Sequence, residues 1–416
     1  MQGRTRWGAR REAGSPASAA SRAVSTIRTR AVASAAFIAA VCLGSLLVAA
    51  PLGRLRDPLV LVIVLPPLAT ALDALGWSHV AARLLGRIRG FLVRTLVAYV
   101  VWLVVSALLT LDVAAVVSAT VGLSLAGARR RERDAQLGAA IVGSNAGSLL
   151  FPFSNLTNLI VLTGAGIPFA AYVEASFVPQ IATAAGAGLV LAWRSGRFLA
   201  ADGAREDLVE PQAASRPPGA AREGPTRLAG AMVLVGSLSA VAAGFAGDDV
   251  AAVFATTAAF VTALAVGCGR ATRQGLLRSI PRLGIAVILA AAALSGPMAA
   301  FAAALPSPAG LPASPLELAA LTVAGGVLAA TVNNLPAAAF GAVWLHGAGA
   351  SAVVAYLIGT NVLALITPHG SLATLLCRGI AIRAGHQIPH GPYLRAAWRV
   401  GVAGSAAALV GLALFR

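Results

Sequence analysis

The 416-residue chain has no lysine, and its 32 basic residues are all arginine. Charged residues make up only 11% of it, while 58% is hydrophobic. A soluble domain carries roughly a quarter charged residues, so a soluble globular class is excluded. There are three cysteines, Cys42, Cys268 and Cys377, scattered without a CxxC pair. That excludes a disulfide framework and a cysteine-based zinc site. The five histidines, His79, His346, His369, His386 and His390, form no HExxH, and no GxSxG occurs. The constellations of a membrane-embedded enzyme are therefore missing. No catalytic residue, resident metal or cofactor is expected.

What the chain does have is apolar length. Runs long enough to span a bilayer occur at 31–50, 91–110, 228–246 and 283–304, a crossing needing about 20 residues. The mean hydropathy is +0.82. The expected fold is an all-α polytopic membrane protein with about 10–13 crossings, several of them short or broken.

The net charge of +17 invites a nucleic-acid partner, but its distribution excludes one. Arginines fall in the arm from Arg4 to Arg30 and in 83–94, 129–133, 194–227, 270–282 and 378–399, with Arg54, Arg56 and Arg416 outside these groups. The alternate loops near 111, 164–166, 247–249, 305–315 and 346–351 have none. This is the asymmetry of a multi-pass protein of the cytoplasmic membrane with its N-terminus inside. The basic arm has no interleaved aromatics beyond Trp7, so the lipid surface suits it better than RNA.

Four regions follow. Residues 1–30 read as a disordered cytoplasmic arm, followed by a first transmembrane repeat over 31–193. A Pro- and charge-rich cytoplasmic linker occupies 194–227, and a second repeat 228–416. The arginine-rich start is too long for a cleaved leader.

Two polar motifs interrupt the apolar background and match each other. One runs Pro152-Phe153-Ser154-Asn155-Leu156-Thr157-Asn158, the other Pro368-His369-Gly370-Ser371-Leu372-Ala373-Thr374. Non-helical backbone within a membrane must be buried in protein or line a wet cavity. An upstream helix break accompanies each motif, at Leu111-Asp112-Val113 and at Asn333-Asn334-Leu335-Pro336. The loop charges make the first interrupted crossing run inside to outside and the second outside to inside, the pattern of an inverted repeat.

Ser154, Asn155, Thr157 and Asn158 offer oxygens for a small cation or a polyhydroxy solute, and Thr367, Ser371 and Thr374 do the same in the second half. The alternative is polar glue between packed helices. Pro152, Pro336, Pro368 and Gly370 are the helix breaks. His369 fits a proton relay or a packing role equally. Asn333 and Asn334 fit a lining role. Asp112 is read as the intramembrane charge, or else as a helix cap at the outer interface. Glu174 is a second acidic candidate. Asp73, Glu317 and His346 read as interfacial.

The runs 154–159, 333–336 and 368–376 resemble the arsenical pump membrane proteins, the arsenite and antimonite efflux permeases of the ion transporter superfamily. The likeness covers roughly residues 32–414. It implies about 12 spans in two inverted repeats, and export of trivalent metalloid driven by proton exchange or by a soluble ATPase. Carried over by position, Ser154, Asn155, Thr157, Asn158, Asn333, Asn334, Ser371 and Thr374 become path residues, with Asp112 as the charge. Two departures stand out: Leu111 and Val113 flank the acid where the family has a polar residue, and His369 replaces an aliphatic one. A citrate or dicarboxylate carrier, or a sodium/proton antiporter, of the same superfamily is the alternative. The expected partners are the bilayer, a small inorganic solute with protons or sodium, a second copy of the chain and the soluble ATPase.

Overall fold

The computed structural model describes residues 56–125, 130–200, 223–272, 296–308, 314–386 and 390–414. The basic arm, the run at 31–50, the linker core at 201–222 and most of the run at 283–304 lie outside these. Among the described residues there are helices and no strand.

Helix α1 (Arg56–Ala74) contains Pro66 and Pro67, and α2 (Trp77–Gly86) follows it. Next come α3 (Phe91–Leu108), α4 (Leu111–Leu125) and α5 (Arg130–Ala146). After a break, α6 (Leu156–Ala165) leads to the long α7 (Phe169–Ala200). Helices α8 (Glu223–Ala246) and α9 (Val250–Gly267) form a pair between the two repeats. A helical stretch over 296–303 precedes α10 (Pro315–Val332), α11 (Asn334–Trp344) and α12 (Ala350–Asn361). A second break leads to α13 (Leu372–Arg383), and α14 (His390–Leu414) closes the chain. The sequence reading put the linker at 194–227, but α7 continues to Ala200 and α8 already begins at Glu223.

Among the described residues six helices are long and apolar enough to cross a membrane: α3, α8, α9 and α10, with most of α7 and α14. Their outward faces are apolar too, as with Phe177, Leu189, Val235, Phe260, Val323 and Val410, all exposed. Water does not tolerate so continuous an apolar belt, whereas lipid does. The protein is an all-α, multi-pass membrane protein.

The two halves repeat each other. Helices α3 to α7 correspond in order to α10 to α14. In each half the first helix runs parallel to the third. Thr95 of α3 accepts from Gln136 of α5, and Ser106 donates to the Ser144 carbonyl. Likewise Thr322 of α10 donates to the Ala355 carbonyl of α12, and Thr367 reaches Ala330. A glycine at the same place permits each crossing. A Cβ on Gly143 would lie 2.7 Å from the Tyr99 carbonyl, and one on Gly359 would overlap the Thr322 carbonyl.

The second helix of each half returns antiparallel to the third. Gly122 of α4 lies against Gln136 of α5, and Gly341 of α11 against Tyr356 of α12. So α3–α4 and α10–α11 are helical hairpins. Their tips, at 109–110 and at Asn333, lie beside the breaks rather than at the ends of the molecule. The runs at 91–110 and 112–128 are thus two arms of one hairpin, and the Arg-free loop near 111 is its tip and not an outer loop.

The broken crossings are antiparallel to each other. His386, just past α13, contacts Asp134 near the start of α5 at 2.8 Å. At the other end, His346 meets the Gly164 carbonyl at 2.9 Å and the Gly347 N–H donates to Ala165, joining the end of α6 to the turn before α12. The repeats are inverted, as the arginine asymmetry predicts.

Candidate functional site

The interrupted crossings meet at their breaks. In the first, α5 ends at Ala146, Pro152–Ser154 makes one 3-10 turn, and Asn155 caps α6 by accepting from the Thr157 N–H at 3.1 Å. Pro152 has no N–H to give and fits the first position of such a turn. In the second, α12 ends at Asn361, Leu363–Ile366 is 3-10, and Thr367–Gly370 turns into α13. The backbone is packed tightly here, since a Cβ on Gly370 would overlap the Ala364 carbonyl.

Asn361 binds three side chains of the opposite half. Its Oδ1 accepts from Asn155 Nδ2 at 3.0 Å and from Thr157 Oγ1 at 2.8 Å, and its Nδ2 donates to Asn158 Oδ1 at 2.7 Å. Asn145 is its counterpart in the first repeat. Asn145 Oδ1 accepts from Ser371 Oγ at 2.7 Å. Asn158 also donates to the Ser148 and Phe151 carbonyls, as does Ser154, and Tyr172, Ser176 and Gln180 of α7 bond Leu149 and Leu150 of the same loop.

The sequence reading missed Asn145 and Asn361. The signal was available: Gly143-Ser144-Asn145 and Gly359-Thr360-Asn361 each end seven residues before their proline. The register that pairs Pro152 with Pro368 also pairs these triplets.

The hairpin tips differ in how they meet the breaks. Asn333 has φ +90°, and it is the sole non-glycine residue with positive φ among the described residues. Its Oδ1 caps α11 through the Leu335 N–H at 3.2 Å, and its Nδ2 donates to the His369 carbonyl at 2.7 Å. The Asn334 N–H donates to Gly370 at 2.9 Å, and its Oδ1 accepts from the Leu372 N–H at 3.2 Å. The second tip is therefore bonded to the second break, and Pro336 sits buried in the first turn of α11.

At the first tip, Thr110 Oγ1 lies 3.4 Å from the Val113 N–H. Thr110 takes the capping position that the sequence reading offered as the alternative role of Asp112. The carboxylate of Asp112 makes no hydrogen bond or ion pair among the described residues. It faces a cavity of about 40 Å³, room for about three waters. Thr110 and Asp112 supply its polar lining. The other walls are apolar, with Leu61 and Leu65 of α1, Phe153 and Leu156 at the first break, and Leu372 and Leu376 of α13. An unpartnered carboxylate in such a place is stabilised when a cation or a proton joins it.

Of the other candidates, Thr367 bonds to Ala330 at 3.0 Å. The Thr374 hydroxyl is fully buried without a hydrogen-bond partner among the described residues. His369 is exposed, and it is its carbonyl that serves the site. Glu174 is exposed on α7. Glu317 completes a capping box with Ser314, and Asp73 accepts from Ser78. No group of three or more His, Cys, Asp or Glu side chains able to hold a metal occurs among the described residues. Comparison of the chain with protein-family models and with curated proteins finds no match.

Proposed function

We propose that the protein is a secondary active transporter of a small inorganic solute, coupled to protons or to a small cation through Asp112. The carrying observation is the meeting of two oppositely directed broken crossings and the first hairpin tip around a small cavity. Within that cavity one carboxylate has no partner among the described residues. Broken helices that converge from inverted repeats are the arrangement by which alternating access works around a fixed site. The cavity is small and no arginine lines it, which favours a compact neutral or cationic solute over citrate or a dicarboxylate.

Arsenite and antimonite are the cargo that the likeness of 154–159, 333–336 and 368–376 points to, and export across the cytoplasmic membrane is the corresponding direction. The undissociated trihydroxide needs hydrogen-bonding oxygens and no thiolate. The arginine-rich end carries Arg94, Arg133 and Arg383 and is assigned to the cytoplasm.

Everted vesicles loaded through an imposed proton gradient test this reading. Arsenite or antimonite should accumulate, and accumulation should collapse with the gradient. Sodium-dependent movement would instead assign the antiporter reading. Accumulation of neither metalloid, with citrate accumulated in their place, would overturn the proposed cargo.

A further inference from the structure

Phe153 is both a wall of the Asp112 cavity and one end of a column of phenyl rings. Its centroid lies 5.3 Å from that of Phe151, with the rings 12° from parallel, and 6.3 Å from that of Phe169. Phe151 and Phe169 are themselves 6.3 Å apart and near parallel. Phe169 then meets Phe245 edge-on at 5.2 Å, and Phe153 meets Phe254 at 5.1 Å. Five of the chain's 13 phenylalanines make this one cluster.

The column has a direction. Phe151 and Phe153 belong to the first break. Phe169 opens α7, Phe245 is next to last in α8, and Phe254 lies near the start of α9. Those helix ends flank 166–168 and 247–249, which hold no arginine. Phe153 is fully buried, whereas Phe245 is 54% exposed. The rings therefore run from the cavity wall to the surface at the arginine-poor end.

Two features suit the column to movement. Phenyl rings have no hydrogen-bonding group, so each pair is held by contact and ring electrostatics, about 0.5–1.5 kcal/mol beyond its area. The two breaks, by contrast, are joined to each other by the directional bonds of Asn361 and Asn145. Phe169 also lies on bare main chain, since a Cβ on Gly244 of α8 would overlap its ring. No side chain at that position interlocks with the ring and holds it in place. The second break has no such feature. The register that pairs Pro152 with Pro368 sets Phe153 against His369, and 363–371 contains no aromatic ring other than that exposed imidazole.

An apolar constriction bars ions and hydrated solutes by staying dry, and it opens when its side chains part. We propose that the phenyl column is the gate between the Asp112 cavity and the arginine-poor side, with Phe153 as its inner leaf. This rests on the reading of that cavity as the transport site. Parting of Phe153 from Phe254, and of Phe169 from Phe245, opens the cavity to one side only, because the column has no counterpart at the second break.

Thiol labelling of the full chain in membrane vesicles tests this. The background carries Cys42→Ser, Cys268→Ser and Cys377→Ala, with Val116→Cys in the cavity wall. A charged, membrane-impermeant thiosulfonate is added at one side or the other. From the arginine-poor side, Phe153→Ala and Phe169→Ala should each raise the labelling rate about tenfold over this background, the upper effect of losing one ring pair from the closed state. From the arginine-rich side the rate should not change. Phe177→Ala, on the exposed face of α7 and off the column, should leave both rates as they are. Phe153→Leu and Phe169→Leu, which keep apolar bulk, cover the case in which an alanine variant fails to fold, and should raise the rate in the same direction but less. Background rates in the folded variants would overturn the proposal, as would an equal rise from both sides or an equal rise in Phe177→Ala. Labelling needs no cargo, so vesicles that fail to accumulate metalloid would count against the proposed cargo and not against the gate.

Discussion

The two hairpin tips occupy equivalent places in the repeats and do opposite things. At the second tip, three hydrogen bonds from Asn333 and Asn334 join the tip to the second break, and the Asn333 side chain also caps α11. At the first tip, Thr110 bonds only within its own turn, and Asp112 projects into the cavity. Amides can saturate each other in the dry interior, whereas a lone carboxylate cannot. The second tip is therefore built to stay where it is, and the first to exchange partners. The same asymmetry recurs at the breaks, where Asn361 binds three side chains of the other half and Asn145 binds one.

The largest expected effect tests the first tip. Asp112→Asn keeps shape and polarity but removes the charge, and proton-linked transport in everted vesicles should fall to background while the purified protein remains folded. Undiminished coupled transport would remove Asp112 from the mechanism and leave the tips functionally alike. Next come the amides at the breaks. Asn361→Ala leaves the Thr157 hydroxyl and the Asn158 carbonyl oxygen without the Asn361 amide and should cost about 3 kcal/mol, while Asn145→Ala should cost about 1–2 kcal/mol. Thermal unfolding in detergent should order the pair that way, and equal shifts would break the comparison.

A smaller difference concerns the backbone of the second tip. Asn333→Ala loses both side-chain bonds at a positive φ and should cost about 2–3 kcal/mol, whereas Asn333→Gly relieves the strain and should cost about 1 kcal/mol. Should the two substitutions cost the same, the bonds rather than the conformation dominate there. The smallest effect is expected for His369→Leu, within about 0.5 kcal/mol in stability and without change in transport, because the ring is exposed and the site uses the carbonyl.

Much of the architecture was legible in the sequence because membrane insertion imposes it. Apolar length gave the class, the arginine-poor loops gave the inverted course of the broken crossings, and paired prolines located both breaks. The hairpins were not legible. An 18-residue apolar helix such as α3 is long enough to cross, and nothing in its composition says that the chain turns back at 109–110. For the same reason the sequence also fits Asp112 to an outer interface. Asn145 and Asn361 escaped notice because each lies within a helix, upstream of the break, where a single amide reads as packing. His369 drew attention for its rarity, but what a residue contributes through its carbonyl leaves no mark on side-chain patterns.

The glycine contacts divide the molecule into stiff and yielding seams. Where Gly143, Gly164, Gly186 and Gly359 bring main chain against its neighbour, two helices are welded with no side chain able to re-pack between them. The seam of α4 with α13 has no such weld and is bridged by the weak contact of the Cys377 thiol with the Ala115 carbonyl at 3.3 Å. Because Asp112 lies in the first turn of α4, the helix that carries the unpartnered acid is one that no glycine welds to α13.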